Sequence, residues 1–372
     1  MDDQDRALSL RAIELAHQSI GVSDPNPRVG CVLHAANGTL AGEGFTQEAG
    51  GPHAEVAALR AAAIAGADVR GGCAWVSLEP CAHHGRTPPC CDALIAAGLT
   101  RVVVAMVDPF GQVAGRGIER LRAAGIQVDV WPADDAVALS ANELNIGFVS
   151  RVLRHRPWVR LKVAASLDGR TALAGGESQW ITGPAARADG HHWRKRAGAI
   201  LTGIGTVRAD DPRLDVRDVH THVQPMRVVV DSRLRLPSDA RLIAAPGEVL
   251  VAHACGRDDD AAALRRAGAT VLHLPDAQGR VDLHALMAAL AGMGINELHV
   301  EAGPRLNGAL IQAGLIDELL VYQAPCILGD GRGMFDMPGL RTLADARRFK
   351  LIDMQRIGDD LRLRLRPETA CA

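Results

Sequence analysis

His53 and Glu55 stand two residues apart, and the chain later reaches Glu79-Pro80-Cys81 and then the adjacent thiols Cys90 and Cys91. An imidazole and thiolates are zinc donors. A catalytic zinc takes three protein ligands and keeps a fourth position for water, which it acidifies. His53 and Cys81 are the natural first two ligands. Glu55 falls on the helix that follows His53. There it can take a proton from the water and return it to a departing amine without ligating the metal.

The order matches the H-x-E…P-C signature of zinc-dependent deamination. Its second half is irregular. The usual spacing is Pro-Cys-x-x-Cys, whereas here His83 and His84 follow Cys81-Ala82 and the next thiols are Cys90 and Cys91. Cys90, Cys91 and His84 therefore compete for the third place. Cys90, at the start of a helix through Leu94, is preferred, and Cys91 is then a packed thiol. A purely structural zinc site would want four protein ligands and has no use for Glu55.

The elements that must position these residues alternate along the chain. An amphipathic helix is expected over Asp5–Ile20, a strand over Val29–Leu33, a helix from His53 to about Ala65 and a strand over Cys73–Leu78. A helix over Cys90–Ala97, a strand over Arg101–Val107 and a helix over Gly117–Ala124 follow, giving a three-layer α/β arrangement that ends near Trp131. Asp134–Leu153 reads as one helix, and the basic run Arg151–Arg156 as its solvated linker face. After Pro157 a second α/β pattern begins at Trp158 and closes with antiparallel strands at Phe349–Arg356 and Asp360–Leu365. With 372 residues, at about one domain per 150 residues, the division expected is residues 1–150 and 151–372.

Composition excludes several classes. The formal charge of −2 provides no global attraction to nucleic acid or anionic membrane. No apolar run approaches the roughly 20 residues of a membrane span, and the acidic start Met1-Asp2-Asp3 is no signal peptide. A cytoplasmic protein is expected, in which clustered thiols point to metal or catalysis before disulfides.

The second half carries no dinucleotide fingerprint: Gly203-Ile204-Gly205-Thr206-Val207-Arg208 lacks the third glycine. A better phosphate site is Val300-Glu301-Ala302-Gly303-Pro304, a strand running through glycine into a helix whose free N–H groups and dipole suit a pyrophosphate. The pairs His191-His192 and His220/His222 read as exposed histidines, and Asp258–Ala263 as a variable loop.

Taken together, His53-Ala54-Glu55, Glu79-Pro80-Cys81, the insert His83–Cys90 and Asp24-Pro25-Asn26-Pro27-Arg28 resemble the deaminase half of the bifunctional riboflavin-biosynthesis deaminase–reductases. Lys162–Arg170, Gly176–Thr182, Ala209–Leu214 and Val300–Pro304 resemble the reductase half of the same family. The resemblance implies a cytidine-deaminase-like domain followed by a dihydrofolate-reductase-like domain. It implies Zn2+ held by His53, Cys81 and Cys90, with Glu55 catalytic and Asn26 against the pyrimidine.

It further implies NADPH lined by Ala164, Trp180, Thr206, Asp210, Ser232 and the loop Gly303, Pro304, Arg305, Leu306, Asn307, Gly308 and Ala309. Ser178, Arg194, Leu214, Arg217 and Glu301 would hold the substrate, with Arg194 and Arg217 on its phosphate. The implied substrate is a phosphoribosylaminopyrimidine, deaminated and then reduced at C1′, with Lys162, Asp210 and Glu301 as alternatives for handling protons. The expected assembly is a homo-oligomer, dimer or tetramer, with no nucleic-acid or membrane partner. A nucleic-acid deaminase with an appended domain would want the short Cys spacing and a basic approach surface. A zinc-stabilised binding module would not need Glu55.

Overall fold

The structure is a computed structural model that describes residues 1–82, 88–111 and 114–368. His83 and His84, with the rest of the insert to residue 87, lie outside the described residues. The chain forms two compact units, Met1–His155 and Arg156–Ala372.

In the first unit the order is α1 (Asp3–Ala16), β1 (Gly30–His34), β2 (Leu40–Phe45), α2 (Ala54–Ile64), β3 (Cys73–Val76), α3 (Cys90–Ala96), β4 (Arg101–Val104), α4 (Arg116–Ala123), β5 (Gln127–Val130), α5 (Ala136–Leu144) and α6 (Ile146–Arg154). The sheet runs β2-β1-β3-β4-β5, with β1 antiparallel to both neighbours and β3, β4 and β5 parallel.

Alternation along the strands sorts the side chains onto two faces. Cys31, Leu33, Val102 and Val104 pack with Ala54, Ala58, Leu94 and Leu121, so α2, α3 and α4 cover one face. Val32, Trp75 and Val103 pack with Ala12, Leu15, Val137 and Ala141, so α1 and α5 cover the other. The alanines of α2 let it lie directly on β2. A Cβ on Gly42 or Gly44 would stand 2.4 Å from the α2 backbone at Ala58. This contact fixes the height at which α2 presents its first turn.

The helix expected over Asp134–Leu153 is broken into α5 and α6 at Asn145. The buried Asn145 side chain accepts from Arg28 N–H at 2.7 Å and donates to Arg28 C=O at 2.9 Å. A side chain that clasps a distant backbone in this way favours a break over a continuous helix.

In the second unit the order is β6 (Trp158–Ser166), β7 (Arg170–Leu173), α7 (Pro184–Arg196), β8 (Ala199–Gly203), α8 (Ile204–Asp210), β9 (Met226–Val230), α9 (Arg241–Ala244), β10 (Val249–His253), α10 (Asp258–Arg266), β11 (Thr270–His273), α11 (Leu283–Gly292), β12 (Glu297–Val300), α12 (Pro304–Gln312), β13 (Glu318–Ala324), β14 (Gly331–Gly333), β15 (Phe349–Ile357) and β16 (Asp360–Pro367). The main sheet runs β11-β10-β9-β8-β12-β6-β13-β16-β15. It is parallel up to β13 and antiparallel beyond. The pair β7/β14 forms a separate two-stranded ribbon that the sequence pattern did not announce.

The segment expected as a loop at Asp258–Ala263 is instead the start of α10. Asp258, Asp259 and Asp260 fill its first turn and Arg265 and Arg266 its last, which matches the helix dipole at both ends. Among the described residues no helix is long and apolar enough to cross a membrane.

Candidate active sites

Two short elements bring the first site together. His53 is the N-cap of α2, and Glu55 lies in the first turn of that helix. Cys90 opens α3. Cys81 follows β3 and its short extension, and its sulfur accepts the Cys90 backbone N–H at 3.3 Å.

His53 Nδ1 stands 3.7 Å from Cys81 Sγ and 3.3 Å from Cys90 Sγ, and the three donor atoms lie within 4.8 Å of one another. A tetrahedral zinc bonded at about 2.3 Å to sulfur and about 2.0 Å to nitrogen separates its donors by roughly 3.5–3.8 Å. The donor set therefore fits zinc in both chemistry and spacing. Cys91 points elsewhere: its buried thiol donates to Pro80 C=O at 3.3 Å and Gly117 C=O at 3.5 Å.

The site is electrostatically tuned. A hydrogen bond from the Cys90 thiol drives the Cys81 pKa down against the effect of burial, with His53 and the Cys90 N–H adding to it. The same hydrogen bond, together with burial, pushes Cys90 up. Glu55 is 3% exposed, and burial, then the charge of Cys81, pushes its carboxyl up to about 6. A carboxyl in that range suits proton transfer in both directions near neutrality.

His53, Glu55 and Cys81 line a cavity of about 300 Å³ with Asn26, Thr46, Asp108, Phe110, Phe148 and Arg151. Glu79 forms part of the wall and accepts backbone N–H groups of Asp108, Gly115, Gly117 and Ile118 at 2.8–3.3 Å. It thereby ties the segment carrying Asp108 and Phe110 to the strand that leads into Cys81.

The second unit gathers charges at the carboxyl ends of its central parallel strands, the usual ligand edge of an open α/β sheet. Glu301 follows β12, and its carboxylate takes a two-pronged contact from Arg194 of α7 at 2.5 and 2.9 Å. Arg194 also donates to Asp215 C=O at 2.9 Å, and Arg217 pairs with the Asp215 carboxylate at 3.0 Å. Leu214, beside Asp215, is buried at positive φ. Arg194, Leu214, Arg217 and Glu301 thus form one cluster. Lys162 adjoins it: burial lowers its pKa while the charge of Glu301 opposes that shift.

His191, expected to be exposed, is buried. It stands 3.1 Å from Asp218 and accepts the Arg217 N–H. Burial, reinforced by Arg194 and Arg217, pushes it down to about 4. His220 and His222 are exposed, with their rings edge to face at 4.7 Å.

The remaining expected residues are spread around this edge. Ala164 is on β6, Thr206 and Asp210 are on α8, and Ser178 and Trp180 lie between β7 and α7. Trp180 is 64% exposed, with the Arg187 guanidinium 4.6 Å over its ring. The Ser232 hydroxyl accepts Val281 N–H at 3.3 Å. Gly303 caps α12 without a side-chain hydrogen bond, Pro304 opens the helix, and Thr206 Oγ1 lies 3.7 Å from where a Cβ on Gly303 would sit. Arg305 is exposed, and Leu306 and Ala309 are half-buried. Asn307 and Gly308 face inward. Asn307 donates to Met334 C=O at 3.1 Å, and a Cβ on Gly308 would meet Asp336 O at 2.0 Å.

The family models divide the chain in the same way. Residues 2–106 match the cytidine and deoxycytidylate deaminase zinc-binding region, and residues 157–363 match the RibD C-terminal domain. The riboflavin biosynthesis protein RibD of Escherichia coli is 48% identical over 97% of this chain and 99% of its own length. The chain belongs to the RibD family.

A second relative, RibD of Haemophilus influenzae, is 42% identical over 98% of each chain. The solved structure of Acinetobacter baumannii RibD superposes with a TM-score of 0.87 at 43% identity, covering 98% of this chain and 99% of that one. A Thermotoga maritima structure described as a diaminohydroxyphosphoribosylaminopyrimidine deaminase/5-amino-6-(5-phosphoribosylamino)uracil reductase superposes with a TM-score of 0.85 at 30% identity over 98% of each chain. Like other RibD proteins, this chain is a bifunctional deaminase and reductase of riboflavin biosynthesis. It has a zinc-binding cytidine-deaminase-like unit and a dihydrofolate-reductase-like unit.

Sequence reasoning missed part of the RibD deaminase cavity. Phe148 and Arg151, one helical turn apart on α6, belong to its wall, although the run beginning at Arg151 reads as a linker. Their i, i+3 spacing was the available signal.

Proposed function

We propose that the first unit deaminates 2,5-diamino-6-(5-phosphoribosylamino)pyrimidin-4-one to 5-amino-6-(5-phosphoribosylamino)uracil, and that the second reduces the ribosyl group of that product to ribityl with NADPH. The observation that carries the reading is the His53, Cys81 and Cys90 donor set, of which His53 and Cys81 line one cavity with the buried Glu55. His53, Cys81 and Cys90 would hold zinc, which when bound would supply an acidified water. Glu55 takes the proton from that water as its oxygen attacks the ring carbon bearing the amine. It then gives the proton to the departing nitrogen, so that water is consumed and ammonia released. Asn26, on the cavity wall, orients the pyrimidine.

In the second unit the N-terminus of α12, without a side-chain cap, fits the pyrophosphate of NADPH. NADPH held there would supply the hydride needed at C1′ of the open-chain imine. Ala164, Trp180, Thr206, Asp210 and Ser232 are assigned to the cofactor with the loop from Gly303. Arg217, half exposed beside Asp215, is assigned to the substrate phosphate. Arg194, engaged with Glu301, holds the cluster in register. Of Lys162, Asp210 and Glu301, Glu301 is held ionised by Arg194, which leaves Lys162 and Asp210 to hand a proton to the imine nitrogen.

We also place the enzyme in the cytoplasm as a homo-oligomer. Free thiols support the first assignment. The exposed Leu351, Ile352 and Met354 on the edge strand β15 support the second, and light scattering on the purified chain tests it.

The deciding experiment is Glu55→Gln. Ammonia release should fall by at least about 100-fold, with zinc content and NADPH oxidation retained. Undiminished ammonia release would remove Glu55 from the mechanism.

A further inference from the structure

The segment that carries Arg217 belongs to no helix or strand. It lies in the connection between α8 and β9, yet side chains hold its backbone at successive residues. Arg194 donates to Asp215 C=O at 2.9 Å. The buried Asp215 carboxylate meets Arg213 at 2.7 Å and Arg217 at 3.0 Å. The Gln224 amide takes both polar groups of the Val216 backbone, accepting its N–H and donating to its C=O at 2.8 Å each. His191 then accepts the Arg217 N–H at 3.4 Å. A loop fixed in this way gives up its conformational entropy on folding rather than on binding a ligand.

His191 is the member of this set with no part yet in the chemistry. It lies on α7 three residues before Arg194, so the two side chains share one face of the helix. Only 4% of it is exposed, and both ring nitrogens face a partner. Nδ1 accepts the Arg217 N–H, so Nδ1 carries no proton. Nε2 carries it instead, facing the Asp218 carboxylate at 3.1 Å. The ring is neutral, in keeping with a pKa held at about 4 by burial, Arg194 and Arg217. The imidazole thus ties two consecutive residues to α7, Arg217 by its main chain and Asp218 by its side chain. The Arg217 side chain itself stays half exposed.

We propose that His191 is a positioning residue of the reductase: through the Arg217 N–H and the Asp218 carboxylate it sets the main chain from which Arg217 reaches the substrate phosphate. The inference rests on the assignment of that phosphate to Arg217. His191 acts through Arg217, so it governs affinity for the phosphorylated substrate and leaves hydride transfer and proton delivery to other groups.

The test uses the full chain with His191→Met, His191→Leu and His191→Gln. NADPH oxidation is measured with 5-amino-6-(5-phosphoribosylamino)uracil and with its dephosphorylated riboside. Met and Leu withdraw the acceptor from the Arg217 N–H. Each should raise KM for the phosphorylated substrate by about 5–10-fold, with kcat held within about threefold. The preference for the phosphorylated substrate, taken as the ratio of the two kcat/KM values, should fall by the same factor. Gln offers an acceptor and a donor and should recover most of it. The KM for NADPH should stay within about twofold, which also reports that the second unit is folded. A double-mutant cycle supplies a readout that a merely structural role would not move. Once Arg217→Met has removed the phosphate contact, adding His191→Met should lower the preference by less than about twofold more.

A preference unchanged within about twofold in both apolar variants overturns the proposal. So does an equal loss on both substrates, or a full further loss in the Arg217→Met background, since either would make His191 a general brace of the fold. Loss of NADPH binding in both apolar variants counts against it for the same reason. If Arg217→Met alone leaves the preference intact, the phosphate assignment falls first and the proposal with it. If Arg217→Met removes the preference while the His191 variants keep it, the proposal alone falls.

Discussion

Arg194 and Glu301 meet side by side, Nε to Oε1 at 2.5 Å and Nη2 to Oε2 at 2.9 Å, joining α7 to the end of β12 across 107 residues of chain. Burial alone would raise the Glu301 pKa, but Arg194 outweighs it and holds the carboxyl well below the usual range. Glu301→Gln leaves the guanidinium facing a neutral amide. With 14% and 16% of the two side chains exposed, the cost is set somewhat below that of a fully buried pair, at about 2–3 kcal/mol. The melting temperature of the second unit should drop by roughly 5–10 °C. NADPH oxidation should fall by at least about 10-fold, while ammonia release continues. Unchanged melting and NADPH oxidation would show that the pair holds neither fold nor site.

The two sites differed in how far they could be read before folding, and chain separation explains why. His53 and Glu55 are neighbours on one helix start, and Cys90 opens another, so local pattern alone carries their geometry. The reductase cluster draws Arg194, Asp215 and Glu301 from three separate elements, each an ordinary charge in its own stretch. Only the family resemblance assigned Arg194 and Glu301 to the substrate, and Asp215 was not singled out at all. Asn145 breaks a helix because its partner Arg28 lies 117 residues away, a contact invisible to any local window. His191 was misread for the same reason: its partner Asp218 comes from a different loop. The alternating strands were legible because sorting side chains onto two faces is itself a local property. The ribbon of β7 and β14 was not, since its short strands offer little pattern to read.

The metal donors predict a sharp contrast between adjacent thiols. Cys90→Ser replaces a sulfur that faces His53 Nδ1 at 3.3 Å. Zinc should fall below roughly a tenth of an equivalent per chain, with ammonia release, because a hydroxyl is a poor substitute for a thiolate ligand. Cys91→Ser keeps donors for Pro80 C=O and Gly117 C=O, so zinc should remain at a stability cost of about 1 kcal/mol. Metal analysis of the two purified variants decides it, and the reverse pattern would make Cys91 the ligand.

Asn145 offers a test of how the deaminase cavity is braced. The residue is 2% exposed and serves both polar groups of the Arg28 backbone. Asn145→Ala withdraws those partners and should cost about 2–4 kcal/mol. Since α6 carries Phe148 and Arg151 into the cavity wall, ammonia release should decline along with the melting temperature of the first unit. NADPH oxidation should persist. A variant that melts like the parent would mean that the break at Asn145 is set by other contacts.

Glu318 predicts an acid-sensitive second unit. Its carboxylate is fully buried and meets Arg160 at 2.6 Å and Arg364 at 2.8 Å. Burial would raise its pKa, yet these cations, Arg160 foremost, bring it from 4.5 down to about 2. The unfolded chain therefore binds a proton here at a pH where the folded chain still refuses it. The resulting stabilisation, about 3 kcal/mol, is fully present above pH 4.5 and drains away as pH falls towards 2. Glu318→Gln cannot titrate. In urea denaturation, the stability gap between parent and variant should therefore narrow by roughly 2 kcal/mol between pH 7 and pH 3. Other carboxylates shift both proteins alike and cancel in the comparison. Parallel stability curves across that range would show that the Arg160–Glu318 pair does not set the acid limit.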